Sequence, residues 1–449
     1  MELALYHPTF GYYTAGTVAF GDDAHFWTFP ERLSPTFGRV IARHVVAMRQ
    51  ALIDDGALGV DEVFTVVELG AGEGWLADDI LTALAEDFAD VLPRVAYRIG
   101  DRAPALRERQ RARLARWFEA GRVAHLEQGA GDLMPRLEPV VGLVLSNELF
   151  DVYPHELIRW DPNDSSLSAL RLDAGPDLEA RAAARGPDPV IHASFAPTEL
   201  RSDYLAALTP LTPRELLFAP GMDTFFAWVD AHLLRGFVMT IDYGGSAMHC
   251  LDPAPALPQL RVYPEPVAHT QTRTPAFVAD LLLPGRQDVT VDIDFSHLAF
   301  AGRTHGFEVV HFGPQGDLCA RAGIDPLDKG ERARVVKRLK ARGMGEVVAQ
   351  TRAYETARGF ATGSAGFRVL VQARGATRYT VGVVSDAVLP EDLWLVTGPI
   401  PAEHAEHIKA TGDVASDLDH AGLRASRHER IAALAAAGVI RRAGRTPGH

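Results

Sequence analysis

Only two cysteines, Cys250 and Cys319, occur in 449 residues, and no C-x-x-C pair joins them. That scarcity argues against a disulfide framework and for a reducing compartment. Positive charge is also short: 45 basic residues against 58 acidic ones leave a formal charge of −13. A partner bound by neutralising phosphates, such as a nucleic acid, is not expected, whereas a cationic substrate is compatible. No apolar run reaches the length of a bilayer span, and the opening Met1-Glu2-Leu3-Ala4-Leu5-Tyr6-His7-Pro8 is too polar for a signal peptide. A cytoplasmic protein with no membrane span is the resulting expectation. Internal repeats and low-complexity tracts are missing too. What remains, 47% hydrophobic and 23% charged residues, describes an ordinary globular protein able to bury a large core.

The most informative stretch that is present runs Val66-Val67-Glu68-Leu69-Gly70-Ala71-Gly72-Glu73-Gly74-Trp75. An apolar run ends in an acid and three glycines at alternate positions, and Leu76 to Leu84 then repeat apolar residues at helical spacing. This pattern predicts a strand, a tight turn and a helix N-terminus, where a nucleotide-like cofactor meets bare backbone. A dinucleotide fingerprint places its third glycine at relative position six, and here that position is Trp75. Glu-x-Gly-x-Gly-x-Gly instead resembles the first motif of class I S-adenosylmethionine (SAM) methyltransferases. SAM carries no phosphate, so the missing basic residue in this loop is no obstacle.

Around that turn, strands and helices alternate, which implies a mostly parallel sheet. A helix is expected over 35–53, with Ser34 as N-cap and Pro35 in the first turn. Strands are expected at Val63–Leu69, Val95–Ile99, Val123–Leu126, Val140–Leu145 and Phe237–Ile241, with helices at Leu106–Phe118 and Phe225–Leu234. Val289–Ile293, Phe307–Phe312 and Phe367–Val371 are further strand candidates. Leu157–Trp160 and Leu167–Leu172, with a turn at Pro162-Asn163-Asp164, predict a hairpin that breaks the alternation. The expected architecture is α/β, a Rossmann-like class I methyltransferase sheet with helices on both faces. Its parts are an aromatic-rich N-terminal lid and helix (1–60), a cofactor-binding half (61–155) and an insertion (156–215). The remainder of the core (216–375) and a small C-terminal appendage (376–449), with a helix at Arg427–Ala437, follow.

In SAM sites of this fold, polar groups stand at the carboxyl ends of strands, beside a switch in strand order. Glu68 ends the first strand and orients the loop or the cofactor amine, while Gly70, Gly72 and Gly74 admit the methionine and ribose. Asp101 ends the second strand and accepts the ribose hydroxyls; Asp132 follows the third and receives the adenine amino group. Asn147-Glu148-Leu149-Phe150-Asp151-Val152-Tyr153-Pro154-His155 closes the fourth strand, where the transferable methyl points.

That last stretch resembles the Asn-Glu-x-x-Asp-x-x-Pro signature of the MidA-type methyltransferases, a family that includes the mitochondrial complex I assembly protein-arginine methyltransferase. His7-Pro8-Thr9-Phe10-Gly11-Tyr12-Tyr13, Phe26-Trp27-Thr28-Phe29-Pro30-Glu31, Leu106-Arg107-Glu108-Arg109-Gln110, Ile241-Asp242-Tyr243-Gly244, Asp288 to Phe295 and Gln315-Gly316-Asp317 resemble other family segments in order. Together they cover about residues 5–373. Departures cluster on the acceptor side: Phe29 where the family has Ser, Glu73 where it has a basic residue, and His155 shifted by one.

The resemblance implies a SAM-dependent enzyme acting on a protein or peptide side chain, with an arginine nitrogen as first expectation. A guanidinium is protonated and a poor nucleophile, so paired carboxylates must hold it and localise its charge. Glu148 and Asp151 are the candidates, with Asn147 beside them and His155 available to take a proton. A plainer role for Asn147 and Asp151, capping a turn and helix start, stays open. So do a small-molecule acceptor and a SAM-binding assembly factor without catalysis. His404 and His407 stand at i, i+3 spacing with no third ligand, so no metal is expected. Oligomeric state is left open.

Overall fold

A computed structural model describes residues 1–15, 35–129, 131–161, 166–173, 192–208, 215–247, 260–264, 272–273, 287–362, 367–376, 378–379, 394–396, 436 and 440–442. The expected turn at Pro162–Asp164, the segment Phe26–Glu31, the cap Ser34, the pair His404/His407 and most of the Arg427–Ala437 helix lie outside these residues.

Among the described residues the central sheet has eight strands, seven of them in one row: β1 (Phe64–Leu69), β2 (Val95–Gly100), β3 (Val123–His125), β4 (Val140–Asn147), β5 (Leu233–Gly245), β6 (Glu308–Pro314) and β7 (Phe367–Arg374). Their spatial order is β3-β2-β1-β4-β5-β7-β6. The first five run parallel, and β7 is antiparallel to both its neighbours. The chain moves outward from β1 to β3 and then returns to β4 on the other side of β1. That reversal opens a crevice at the carboxyl ends of β1 and β4.

Side-chain alternation assigns two cores to the two faces. Val66, Leu143, Leu145, Met239, Ile241 and Val369 pack against α1 (Thr36–Asp54) and α2 (Trp75–Asp87). Val67, Val144, Val238 and Leu370 point the other way, against the helices α4 (Pro220–His232) and α5 (Phe295–Thr304). Because both faces are covered, β1 is buried at every position. The α1 helix begins at Thr36, with Pro35 as the cap residue. The expected Leu106–Phe118 helix divides at Leu114 into α3 (Pro104–Arg113) and a short turn of helix at Ala115–Glu119.

Between β6 and β7 the chain inserts a short helix at Gly316–Ala322 and two longer ones, α6 (Lys329–Ala341) and α7 (Glu346–Thr362). Their mutual contact is narrow: Val335, Val336 and Leu339 meet Ala349 and Ala353. The predicted hairpin is present at Glu156–Trp160 and Leu167–Asp173, and it widens to four antiparallel strands with His192–Pro197 and Glu215–Phe218. The strand candidate at Val289–Ile293 is present but lies mostly outside the central sheet. Gln287–Val291 pairs with Leu260–Pro264 in a separate three-stranded sheet, and only Ile293–Asp294 touches the end of β5. Among the described residues no helix is long and apolar enough to cross a membrane.

Candidate active site

The turn after β1 is held by backbone geometry that favours glycine. Gly70, Gly72 and Gly74 have φ of +69°, +54° and +82°. A Cβ on Gly70 would fall 2.8 Å from Leu149 Cδ1, whereas one on Gly72 would meet no atom of the described residues within 4 Å. Gly72 therefore borders open space at the mouth of the crevice. Gly74 caps α2, whose first residue is Trp75. The Trp75 ring lies beneath Arg113, Arg342 and Arg338, whose guanidinium carbons stand 3.2, 4.0 and 5.3 Å from its centroid. Glu73 is tied to Arg109 and Arg113 at 3.2 and 3.3 Å. The family's basic residue is thus replaced by an acid that finds its countercharges on α3.

Two acids stand at the ends of β1 and β2. Glu68 is buried and accepts from the Tyr97 hydroxyl at 2.8 Å; burial pushes its carboxyl up to about 7, against the pull of that hydrogen bond. Asp101 is raised to about 6, again by burial, although Ala103 N–H donates to its Oδ1 at 3.0 Å and Gln110 Nε2 to its Oδ2 at 2.7 Å. Gln110 is fully buried and also donates to the Gly72 carbonyl at 2.7 Å, while its Oε1 meets His125 Nε2 at 2.9 Å. One amide thus locks the glycine loop, the β2 acid and the end of β3 together. Nothing in the sequence marks Gln110 among the arginines around it; its role follows from its burial in the fold.

Asp132 is exposed, and its Oδ2 accepts from Gly129 N–H at 2.9 Å, which fixes the turn after β3. Gln128 is buried beside it and bonds the carbonyls of Asp132 and Leu133 at 3.1 and 3.2 Å.

On the other flank, β4 ends in Asn147 and a strained residue. Glu148 has φ of +50°, the one positive value at a non-glycine among the described residues. Asn147 Nδ2 donates to Glu148 Oε1 at 3.2 Å, and its Oδ1 is buried without a hydrogen-bond partner. Asp151 is buried as well: the Tyr243 hydroxyl donates to Oδ2 at 2.5 Å, and Oδ1 has no partner. Burial raises the Asp151 carboxyl to about 6. Asp242, at the end of β5, accepts from the N–H groups of Phe150 and Tyr243 at 3.1 and 2.9 Å and so shapes the loop that carries Asp151. Burial first, then the Asp151 and Glu148 charges, hold Asp242 well above the usual carboxylate range.

His155 belongs to a different pocket. Its Nδ1 meets the Tyr153 carbonyl at 2.8 Å, and burial lowers its pKa to about 4, so the ring is neutral. With Asp292, Asp294 and Met222 it lines a cavity beside His297, which is stacked between Tyr204 and Phe218 at 4.7 Å each. The structure therefore brings Asn147, Glu148 and Asp151 together and sets His155 apart from Asp151's hydroxyl-bonded side.

These residues fit a SAM-type cofactor. The space over Gly72 is open to a ligand, the Asp101 oxygens each retain acceptor capacity beyond one hydrogen bond, and an unpartnered Asn147 oxygen faces the same strand ends.

Residues 40–313 match the profile of an S-adenosyl-L-methionine-dependent methyltransferase family. A search of the curated proteins found no match. A superfamily member from Burkholderia thailandensis, crystallised with S-adenosyl-homocysteine, is 26% identical, with a TM-score of 0.62 over 85% of this chain and 87% of that one. A native crystal structure of an uncharacterized protein of the same superfamily and organism is 25% identical, with a TM-score of 0.59 over the same shares.

Proposed function

The chain belongs to that family of SAM-dependent methyltransferases, and on this premise we propose that it methylates a cationic side chain of a protein or peptide, an arginine nitrogen first. SAM supplies a methyl already activated by its sulfonium. The residues of this chain then have to place the donor, hold the acceptor in line and keep water out.

Gly70, Gly72 and Gly74 let the donor lie against backbone, and the α2 N-terminus favours its carboxylate. Asp101, preset by Gln110, takes the ribose hydroxyls. Glu68 lies behind the loop on its tyrosine, and Asp132 is the candidate for the adenine amino group.

One observation carries the acceptor assignment. Two buried acceptor oxygens, Asp151 Oδ1 and Asn147 Oδ1, meet no donor at hydrogen-bond distance among the described residues, and Glu148, which accepts from Asn147, is held in a strained backbone. A guanidinium brings five donors and a positive charge, which satisfies both oxygens and restores ionisation to Asp151. Glu148 and Asp151 bind and orient it, and Tyr243 fixes the second Asp151 oxygen. His155, neutral and turned to its own loop, is the weaker member of this set.

The test is incubation of purified protein with labelled SAM and arginine peptides, followed by hydrolysis and separation of methylated amino acids. Label in methylarginine is the expected result, and Asp151→Asn lowers kcat about 100-fold or more while S-adenosylhomocysteine still binds. Label appearing only in a small molecule moves the acceptor out of the protein class; no transfer to any acceptor leaves a binding protein.

A further inference from the structure

We propose that Asp288 is a second acceptor-binding carboxylate, set opposite Asp151 by the N-terminal tyrosines. This rests on the reading of a cationic acceptor and extends it to residues that the strand-end pattern of the core sheet does not reach.

Asp288 belongs to the small three-stranded sheet rather than to the core sheet. The two are joined by a backbone bond from Val291 N–H to the Asp151 carbonyl at 2.9 Å. Asp288 is 4% exposed and Asp151 is also 4% exposed, so two carboxyl groups share one desolvated corner. They are close enough to repel: after burial, the Asp151 charge is the largest influence raising Asp288, to about 7.

The two acids are dressed alike. Tyr243 donates its hydroxyl to Asp151, and Tyr13 donates its hydroxyl to Asp288 Oδ1 at 2.9 Å, where Val289 N–H also bonds at 2.9 Å. Each acid is therefore pinned through one oxygen by a tyrosine, which leaves the other oxygen for a ligand. Two buried, tyrosine-pinned carboxyls are a costly arrangement for a structural core; Arg261, whose charge bears on Asp151, is paired with Asp292, and a desolvated guanidinium from an acceptor would suit the pair.

The tyrosine holding Asp288 is part of a continuous cover. Tyr13 stacks on Tyr6 at 5.7 Å, and the Tyr6 hydroxyl donates to the Val152 carbonyl at 3.3 Å. Arg102, the neighbour of the β2 acid, lies 4.2 Å over the Tyr6 ring and pairs with Glu2. Residues 2–13 thus run from the cofactor acid to the acceptor acids, and Tyr13 is a positioning residue for Asp288.

Steady-state kinetics with an arginine peptide, alongside calorimetry with S-adenosylhomocysteine, tests this. Asp288→Asn raises the peptide KM by about 10- to 100-fold and leaves the S-adenosylhomocysteine Kd within about twofold. Asp288→Glu recovers part of the loss. Tyr13→Phe, which removes one hydroxyl and keeps the ring stack, raises the peptide KM by about three- to tenfold. An unchanged peptide KM in Asp288→Asn, or a parallel loss of S-adenosylhomocysteine binding, overturns the assignment. If Asp288→Asn does not fold, Tyr13→Phe decides, and an unchanged peptide KM there overturns it equally. Wild-type protein that methylates no cationic side chain sinks the underlying reading first, before any variant is compared.

Discussion

Gly72→Ala separates the demands of the fold from those of the cofactor. The residue sits at φ of +54°, so an alanine there incurs the left-handed penalty of about 1–2 kcal/mol. Part of that is returned, about 0.4–1 kcal/mol, because alanine is less free than glycine in the unfolded chain. Among the described residues no atom lies within 4 Å of the added methyl, so no clash with them adds to the sum. The expected net loss of stability is about 1 kcal/mol, readable in urea unfolding. The same methyl enters the space assigned to the cofactor, where overpacking of about 1–3 kcal/mol weakens S-adenosylhomocysteine by about 5- to 150-fold in calorimetry. Gly70→Ala provides the contrast, since its methyl meets Leu149 Cδ1 at 2.8 Å and strains the fold itself. A Gly72→Ala protein that binds S-adenosylhomocysteine like the wild type refutes the placement of the cofactor over this loop.

Two further outcomes follow from the electrostatics. Burial raises Glu68 from 4.5 to about 7, so the native protein holds a proton that the unfolded chain releases; this group's contribution is complete below about pH 4.5 and disappears as pH climbs through about 7. Relative to Glu68→Gln, the wild type should lose roughly 3 kcal/mol of unfolding free energy between those limits, and parallel pH curves for the two proteins rule the idea out. Glu73→Lys sets a third cation against Arg109 and Arg113 and should cost about 1–2 kcal/mol in urea unfolding, with partial recovery in the charge-swapped double variant carrying Arg113→Glu. Unaltered stability in the single variant removes the counter-ion explanation for this departure from the family.

Where periodicity was strong, the sequence was explicit about the fold. The apolar runs around Val66, Val144 and Val238 predicted core strands because both faces of the sheet are covered, and such strands need no alternation. The glycine loop and Asp101 were equally legible, since strand-end acids and alternate glycines follow from local geometry. The β5 strand begins at Leu233, four residues earlier than the apolar run suggested, because it continues directly out of α4 without a turn signal. The helices α6 and α7 carry little sequence signal: α6 buries only Val335, Val336 and Leu339 among basic residues, too narrow a stripe for helical periodicity to show. Gln110, Tyr243, Tyr13 and Asp288 were beyond reach for another reason. Tyr243 meets Asp151 and Tyr13 meets Asp288 across 92 and 275 residues, a distance no spacing rule bridges, and Gln110 reaches Asp101, nine residues away, only through the fold.

Trp75 gives the inserted helices a part in the chemistry they do not touch. Arg338 also grips Asp79 of α2, so the first turns of that helix are clamped from outside the sheet by a segment more than two hundred residues downstream. A glycine loop transplanted into another scaffold would arrive stripped of this external brace, and the insertion transplanted alone would bring unmatched guanidiniums. Loop and insertion therefore act as one mechanical unit, and a graft keeps the loop's geometry only where it carries both.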